Sequence, residues 1–116
     1  MLKPDVLRKN KDFSAIYNKG KSVGERYVVL FYKKNNLSYN RKAFLASKKV
    51  GKSVQRNRAR RLMKESVRAL EGRIKTGYDI IFIARKDIHK QKCADVKKSI
   101  EAALKKARIL GKFAEG

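Results

Sequence analysis

Apolar positions recur along the chain in blocks whose spacing changes from helical to alternating and back again. Phe13, Ile16 and Tyr17 fall on one side of a 3.6-residue helix, which predicts a first helix from about Lys11 to Asn18. Asn10 is positioned to cap its start and Gly20 to follow its end. The run Arg26-Tyr27-Val28-Val29-Leu30-Phe31-Tyr32 is β-branched and aromatic on both alternating sets, the pattern of a strand covered on both faces. Asn35-Asn36 breaks it, and a second strand, about Arg41 to Ser47, follows at hairpin distance. Val54, Ala59, Leu62, Met63, Ser66 and Leu70 then share one helical stripe, with Ser53 as the expected cap and an end near Leu70. Tyr78-Asp79-Ile80-Ile81-Phe82-Ile83-Ala84 reads as a strand apolar on both sides, and so as a central one. Val96, Ile100, Leu104 and Ala107 give a last helix from about Asp95 to Leu110, ended by Gly111. Before all of these, Leu2 to Leu7 is a short extended segment, and there is room for one further short strand early on. The order is that of an α+β protein, a two-layer α/β sandwich with one small sheet partly covered by helices.

Nothing marks a boundary or a repeat, so residues 1–116 are expected to form a single domain. Charge changes the picture more than length does. Lys plus Arg number 32 against 10 acids, a net charge of +22, while 42% of the chain is hydrophobic. That surplus repels itself in the folded state and calls for an anionic partner. No run of about 18 apolar residues could span a bilayer, and Met1-Leu2-Lys3-Pro4-Asp5 leads directly into charged sequence. The single cysteine, Cys93, suits a reducing cytoplasm. Nucleic acid is therefore the expected partner, with no membrane and no obligate protein partner. The charge is densest opposite the apolar stripe of the helix predicted from Ser53 to Leu70. Asn57, Arg60, Arg61, Lys64 and Arg68 occupy that face, with Arg56 and Arg58 on its borders. Arginines at this density favour bidentate contacts to phosphate.

Other chemistries fit less well. Gly51-Lys52-Ser53 between a strand and a helix resembles the end of a phosphate-binding P-loop, but Ala46 stands where such a loop needs its first glycine. One cysteine and one histidine, Cys93 and His89, cannot supply the four ligands of a structural zinc site. The same two residues lack an orienting third group for nucleophilic catalysis. The acids are scattered singly, without the clustering that a nuclease would use to hold Mg²⁺ on its own side chains. Phe13 and Tyr17 stay open at this level: their stripe is either plain core or a platform for an unstacked base.

Ala46-Ser47-Lys48-Lys49-Val50-Gly51-Lys52-Ser53-Val54-Gln55-Arg56-Asn57-Arg58-Ala59-Arg60-Arg61 closely resembles the "RNR" region of the bacterial ribonuclease P protein subunit family. Lys11-Asp12-Phe13, Tyr17 and Lys19-Gly20-Lys21-Ser22-Val23 resemble its first helix and turn, and Tyr78 to Arg85 resembles its last strand. Ser53 departs from the alanine more common in the family. The resemblance implies an α/β sandwich like a domain of ribosomal protein S5 and of elongation factor G, with a left-handed βαβ crossover, against the usual handedness. It implies the catalytic ribonuclease P RNA and precursor tRNA as partners, and removal of the 5′ leader of precursor tRNA as the reaction. Mg²⁺ would be bound mainly by the RNA, which does the chemistry, and the chain alone would be inactive.

Carried onto this chain, the resemblance makes Lys48, Lys49, Lys52, Arg56, Asn57, Arg58, Arg60, Arg61 and Lys64 the surface that meets the catalytic RNA. It makes Phe13, Tyr17 and Phe31 walls of the cleft for the single-stranded leader. No catalytic or metal-ligating residue is implied. A ribosomal or general RNA-binding protein would share the charge without needing such aromatics. A DNA-binding helix-turn-helix would need a helix, not a strand, before the arginine-rich one. A membrane-surface protein would need large apolar residues free to face lipid.

Overall fold

The computed structural model describes residues 6–7 and 9–111. The segment expected to be extended from Leu2 lies outside the described residues up to position 5; within them, Val6 bridges Lys42 in parallel. The elements are α1 (Asn10–Lys19), β1 (Lys21–Gly24), β2 (Val28–Lys34), β3 (Arg41–Leu45), α2 (Ser53–Leu70), β4 (Tyr78–Ala84) and α3 (Cys93–Lys106). The strands form one mixed sheet in the order β1-β2-β4-β3, in which only β3 and β4 are parallel.

β4 lies inside the sheet, as its doubly apolar pattern requires. Ile80, Phe82 and Ala84 join the larger core beneath α2 and α3, where Phe44 of β3 stacks on Phe82 at 5.1 Å. Ile81 joins a smaller cluster with Leu7, Ile16 of α1 and Ala43, bordered by Phe13, Phe31, Leu45 and Ile83. Each fully buried Ile or Leu contributes about 1.5–3 kcal/mol, so β4 is the strand that the fold can least spare.

Several local expectations give way to longer-range contacts. β2 and β3 do not pair as a hairpin, because β4 inserts between them and hydrogen-bonds to both. The linking loop is instead fixed by asparagines. Asn35 Oδ1 accepts from Leu37 N at 2.8 Å, Asn36 takes a positive φ of 60°, and Asn40 bonds to Lys75 O and Tyr78 N. α1 starts after Lys9, so Asn10 is its first residue and not its cap. Likewise α2 is entered from Lys52, whose N–H donates to Gln55 Oε1 at 2.6 Å, leaving Ser53 inside the helix. Gly51 permits this entry: its φ is +145°, and a Cβ there would meet the Gln55 side chain at 2.1 Å. α3 ends at Lys106, short of Leu110, because Leu110 bridges Ile74 and Ile109 O accepts from Lys75 N at 2.7 Å. Arg108, at φ 62°, makes the turn.

Buried charge is paired. Asp79 accepts from Arg41 Nε at 2.8 Å and Nη2 at 2.6 Å, and from Asn35 Nδ2 at 2.9 Å. Arg41 also lies 3.6 Å from Asp12, which ties α1 to the sheet. The bond to Asp79 leads the effects that raise the affinity of Arg41 for its proton. On the other side, Arg73 donates to Glu101 at 2.8 Å. That bond, helped by Lys105 and Lys97 against the opposing effect of burial, holds the Glu101 carboxyl below its ordinary range. A carboxyl depressed in the folded state stabilises it above the unfolded-state pKa and stops doing so as pH falls through the folded-state value. Glu101→Gln is therefore expected to melt below wild type at pH 7, and the gap to close as acid titrates the carboxyl. A gap unchanged in acid melts would mean that the pair acts by packing alone.

Candidate nucleic-acid interface

α2 buries Ala59, Leu62, Met63, Ser66, Val67 and Leu70 against the sheet and α3. Its opposite face is cationic. Asn57, Arg58, Arg61, Lys64 and Arg68 are exposed, and Arg56 and Arg60 are half-buried. Lys48, Lys49 and Lys52, exposed in the loop before the helix, extend that face past its N-terminus. Val54 does not join the buried stripe: it is 79% exposed, because the first turn of α2 precedes the helix's contact with the core. The arginines are partly ordered by their own helix. Arg56 donates to Ser53 Oγ at 3.2 Å, and Arg60 to Asn57 Oδ1 at 2.8 Å. Arg58 instead turns toward the β4–α3 connection, donating to His89 O at 2.8 Å and Gln91 O at 3.3 Å.

Among the described residues, none of these cations is in an ion pair. The acids pair elsewhere: Asp12 and Asp79 with Arg41, Glu71 with Lys42, Glu101 with Arg73 and Lys105, Glu25 with Lys106, Asp87 with Lys90. Like charges left this close without counterions raise the energy of the free protein and are relieved by an anion.

Phe13 lies on the small cluster under α1 and is half-buried. Tyr17, one turn on, is 43% exposed, and its ring meets half-buried Phe31 edge-on at 5.0 Å. Partial burial raises the pKa of the Tyr17 phenol, which is therefore neutral at physiological pH. Phe13 opens on a groove of about 710 Å³ between α1, β3 and α2, walled also by Leu7, Ala43, Leu45, Lys64 and Arg68. Lys64 thus belongs to this groove as well as to the cationic face. Arg68 and Lys42 are groove residues missing from the site expected from sequence. For Arg68 the signal was its place one turn after Lys64; for Lys42, whose amine is held 2.6 Å from Glu71, there was none. Gly20 closes α1 against the sheet, and a Cβ on it would fall 2.5 Å from the backbone oxygens of Ile16 and Tyr32.

Among the described residues, no group of three His, Cys, Asp or Glu side chains could hold a metal ion. Nor is any helix among them long and apolar enough to cross a membrane. Cys93, half-buried, has its Sγ 3.8 Å from Ser66 Oγ.

A small mixed sheet, an unneutralised arginine-rich helix and an adjoining aromatic groove define an RNA-binding protein that meets both folded and single-stranded RNA. Similarity to known proteins narrows the class. The family model described as Ribonuclease P matches residues 1–108. The ribonuclease P protein component of Pelotomaculum thermopropionicum is 44% identical over 105 residues, covering 90% of this chain and 94% of that protein. That of Thermoanaerobacter pseudethanolicus is 46% identical over 103 residues, covering 89% of each. The ribonuclease P protein of Staphylococcus aureus superposes with a TM-score of 0.83 at 33% identity, covering 94% of this chain and 100% of that one. That of Thermotoga maritima gives 0.78 at 32% identity, covering 86% and 94%. The chain belongs to the ribonuclease P protein family.

The burial pattern separates the two α1 aromatics by stability. Phe13→Ala is expected to cost about 2–3 kcal/mol, below the roughly 3–5 of a fully buried phenylalanine. Tyr17→Ala should cost about 1 kcal/mol, the order of one edge-on aromatic pair. Thermal melts check the ranking, and a larger destabilisation for Tyr17 would contradict the difference in their exposure.

Proposed function

We propose that the cationic face of α2 and the loop before it docks on the catalytic RNA of ribonuclease P, and that the groove beside α1 receives the unpaired 5′ leader of precursor tRNA. The observation that carries this reading is the run of unpaired cations from Lys48 to Arg61, on a helix whose other end, at Lys64 and Arg68, walls the groove that Phe13 opens on. A rigid cationic surface suits folded RNA, which is recognised by shape and phosphate. Phe13, and Tyr17 packed on Phe31, offer faces and edges for unstacked bases, while Lys64 and Arg68 meet the phosphates between them.

In this reading the chain is the protein component of an endoribonuclease whose RNA does the chemistry. The described residues do not fit a protein-held Mg²⁺ centre, so the required Mg²⁺ is assigned mainly to RNA. The protein positions the leader and screens phosphate repulsion. It needs no catalytic side chain of its own and, without the RNA, is expected to be inactive.

Two variants test the division. For Arg60→Ala/Arg61→Ala, affinity for the catalytic RNA should fall, and its log–log dependence on salt should flatten by about 1 for each phosphate no longer neutralised. An unchanged slope would remove α2 from the RNA interface. Tyr17→Ala should leave assembly intact and weaken holoenzyme binding of substrates with leaders of several nucleotides. The weakening should be roughly 1–3 kcal/mol for the one stacking platform removed, while mature tRNA binds as before. Equal weakening for mature tRNA would sink the leader assignment.

A further inference from the structure

One end of the sheet gathers three connections. Val28 pairs with Ala84 and Leu45 with Ile83, so the β1–β2 turn, the β3–α2 loop and the β4–α3 connection leave the sheet side by side. The middle one carries Lys48, Lys49 and Lys52, already assigned to RNA. The flanking two carry Arg26, Arg85, Lys86, Lys90 and Lys92. Two acids share this end, and both are engaged: Glu25 with Lys106, and Asp87 with Lys90 at 3.7 Å. Arg26, Arg85 and Lys86 are exposed and take part in no ion pair among the described residues.

These three cations surround a polar cleft of about 270 Å³, lined with Tyr27, Asp87 and Gln91. Its walls are held in place. Arg85 N donates to Tyr27 O at 2.9 Å, and Arg85 Nη1 to Glu25 O at 3.1 Å. The Arg26 guanidinium lies 5.4 Å from the centre of the Tyr27 ring. The far rim is joined to α2, since Arg58 donates to the Gln91 carbonyl.

We propose that this cleft is a second RNA contact, taking a backbone phosphate of the catalytic RNA between Arg26, Arg85 and Lys86; this rests on the ribonuclease P reading above. Arg85, fixed through Glu25 O, supplies a preorganised guanidinium, and Arg26 and Lys86 close on the anion from either side. A cleft this small admits one backbone unit and not a duplex. The choice of the catalytic RNA over the substrate follows from continuity. Arg58 connects the cleft to the N-terminal half of α2, whereas the aromatic groove adjoins the C-terminal half, at Lys64, Val67 and Arg68.

The test is equilibrium binding of the full chain to the catalytic RNA of its own organism across a salt series, with Arg26→Ala/Lys86→Ala beside wild type and Arg60→Ala/Arg61→Ala. Both altered side chains are exposed, so melting should be unchanged; should the double variant melt early, the single reversal Lys86→Glu gives the same readout. Affinity is expected to fall about tenfold at near-physiological salt, and the salt slope to flatten by about 2, one for each cation removed. Dependence on leader length should stay as in wild type. Unchanged affinity and slope, with Arg60→Ala/Arg61→Ala still impaired, would overturn the cleft and leave the ribonuclease P reading standing. A weakening seen only with precursor tRNA would move the cleft to the substrate and overturn it equally. Failure of wild type to bind the catalytic RNA would remove the parent reading, and the cleft with it.

Discussion

A strand apolar on both faces cannot sit at a surface, and the rest of this structure follows from where β4 is put. Its Ile80, Phe82 and Ala84 demand a cover, which α2 and α3 supply with a well-filled core. Ile81 and Ile83 demand another, and there the chain has less to offer: Leu7, Ile16 and Ala43, with aromatics at the margin. The second layer is thin enough that Phe13 and Phe31 stay half-buried and Tyr17 is exposed. The groove is thus a consequence of unequal layers. Completing the small core with larger aliphatic residues would fill it.

Electrostatics follows a similar division. Outside α2 the carboxylates are spent on fixing the architecture. Asp79 and Asp12 hold the start of β3, Glu71 meets Lys42 on β3, Glu101 ties α3 to the turn after α2, and Glu25 ties the β1–β2 turn to α3. The basic helix and its leading loop receive none of them. Neutralising this face internally would have been simple, with Glu or Asp one turn from each arginine. Without that neutralisation the free protein repels itself and the bound one does not. The energy withheld from folding is thereby available for association.

Local periodicity carried much of this into the sequence. The stripe from Ala59 to Leu70, the doubly apolar run of β4 and the arginine cluster are all readable within windows of a few turns. What escaped reading depends on partners distant in sequence. The insertion of β4 between β2 and β3 is settled by pairing across some forty residues, which no local pattern encodes. α3 stops early because residues 109–111 pair with 73–75, although its apolar spacing continues to Ala107. Val54 has the right phase for burial and nothing beneath it. At the site, single residues such as Arg61 and Tyr17 were recognisable, but the meeting of Phe13 with Lys64 and Arg68 was not, since α1 and α2 converge only through β3. Arg58 has the phase of a surface cation, yet two carbonyls of a distant connection hold its guanidinium.

That bracing of Arg58 bears on how one small protein serves two RNAs at once. α2 has 18 residues and is about 27 Å long. Its N-terminal half carries the arginines and is braced by Arg58 against the β4–α3 connection, and its C-terminal half walls the aromatic groove. Between them the helix is continuous and seated along one side on Leu62, Met63, Ser66 and Val67, without a proline to bend it. The distance between the phosphate-binding end and the groove is then set by a packed helix and not by a flexible joint. An RNA held at one end fixes where a strand in the groove runs, to within the small play of a close-packed core. A substrate's leader and the RNA that cleaves it are brought into register by the same rigid element, so the protein can contribute to catalysis by geometry and charge alone.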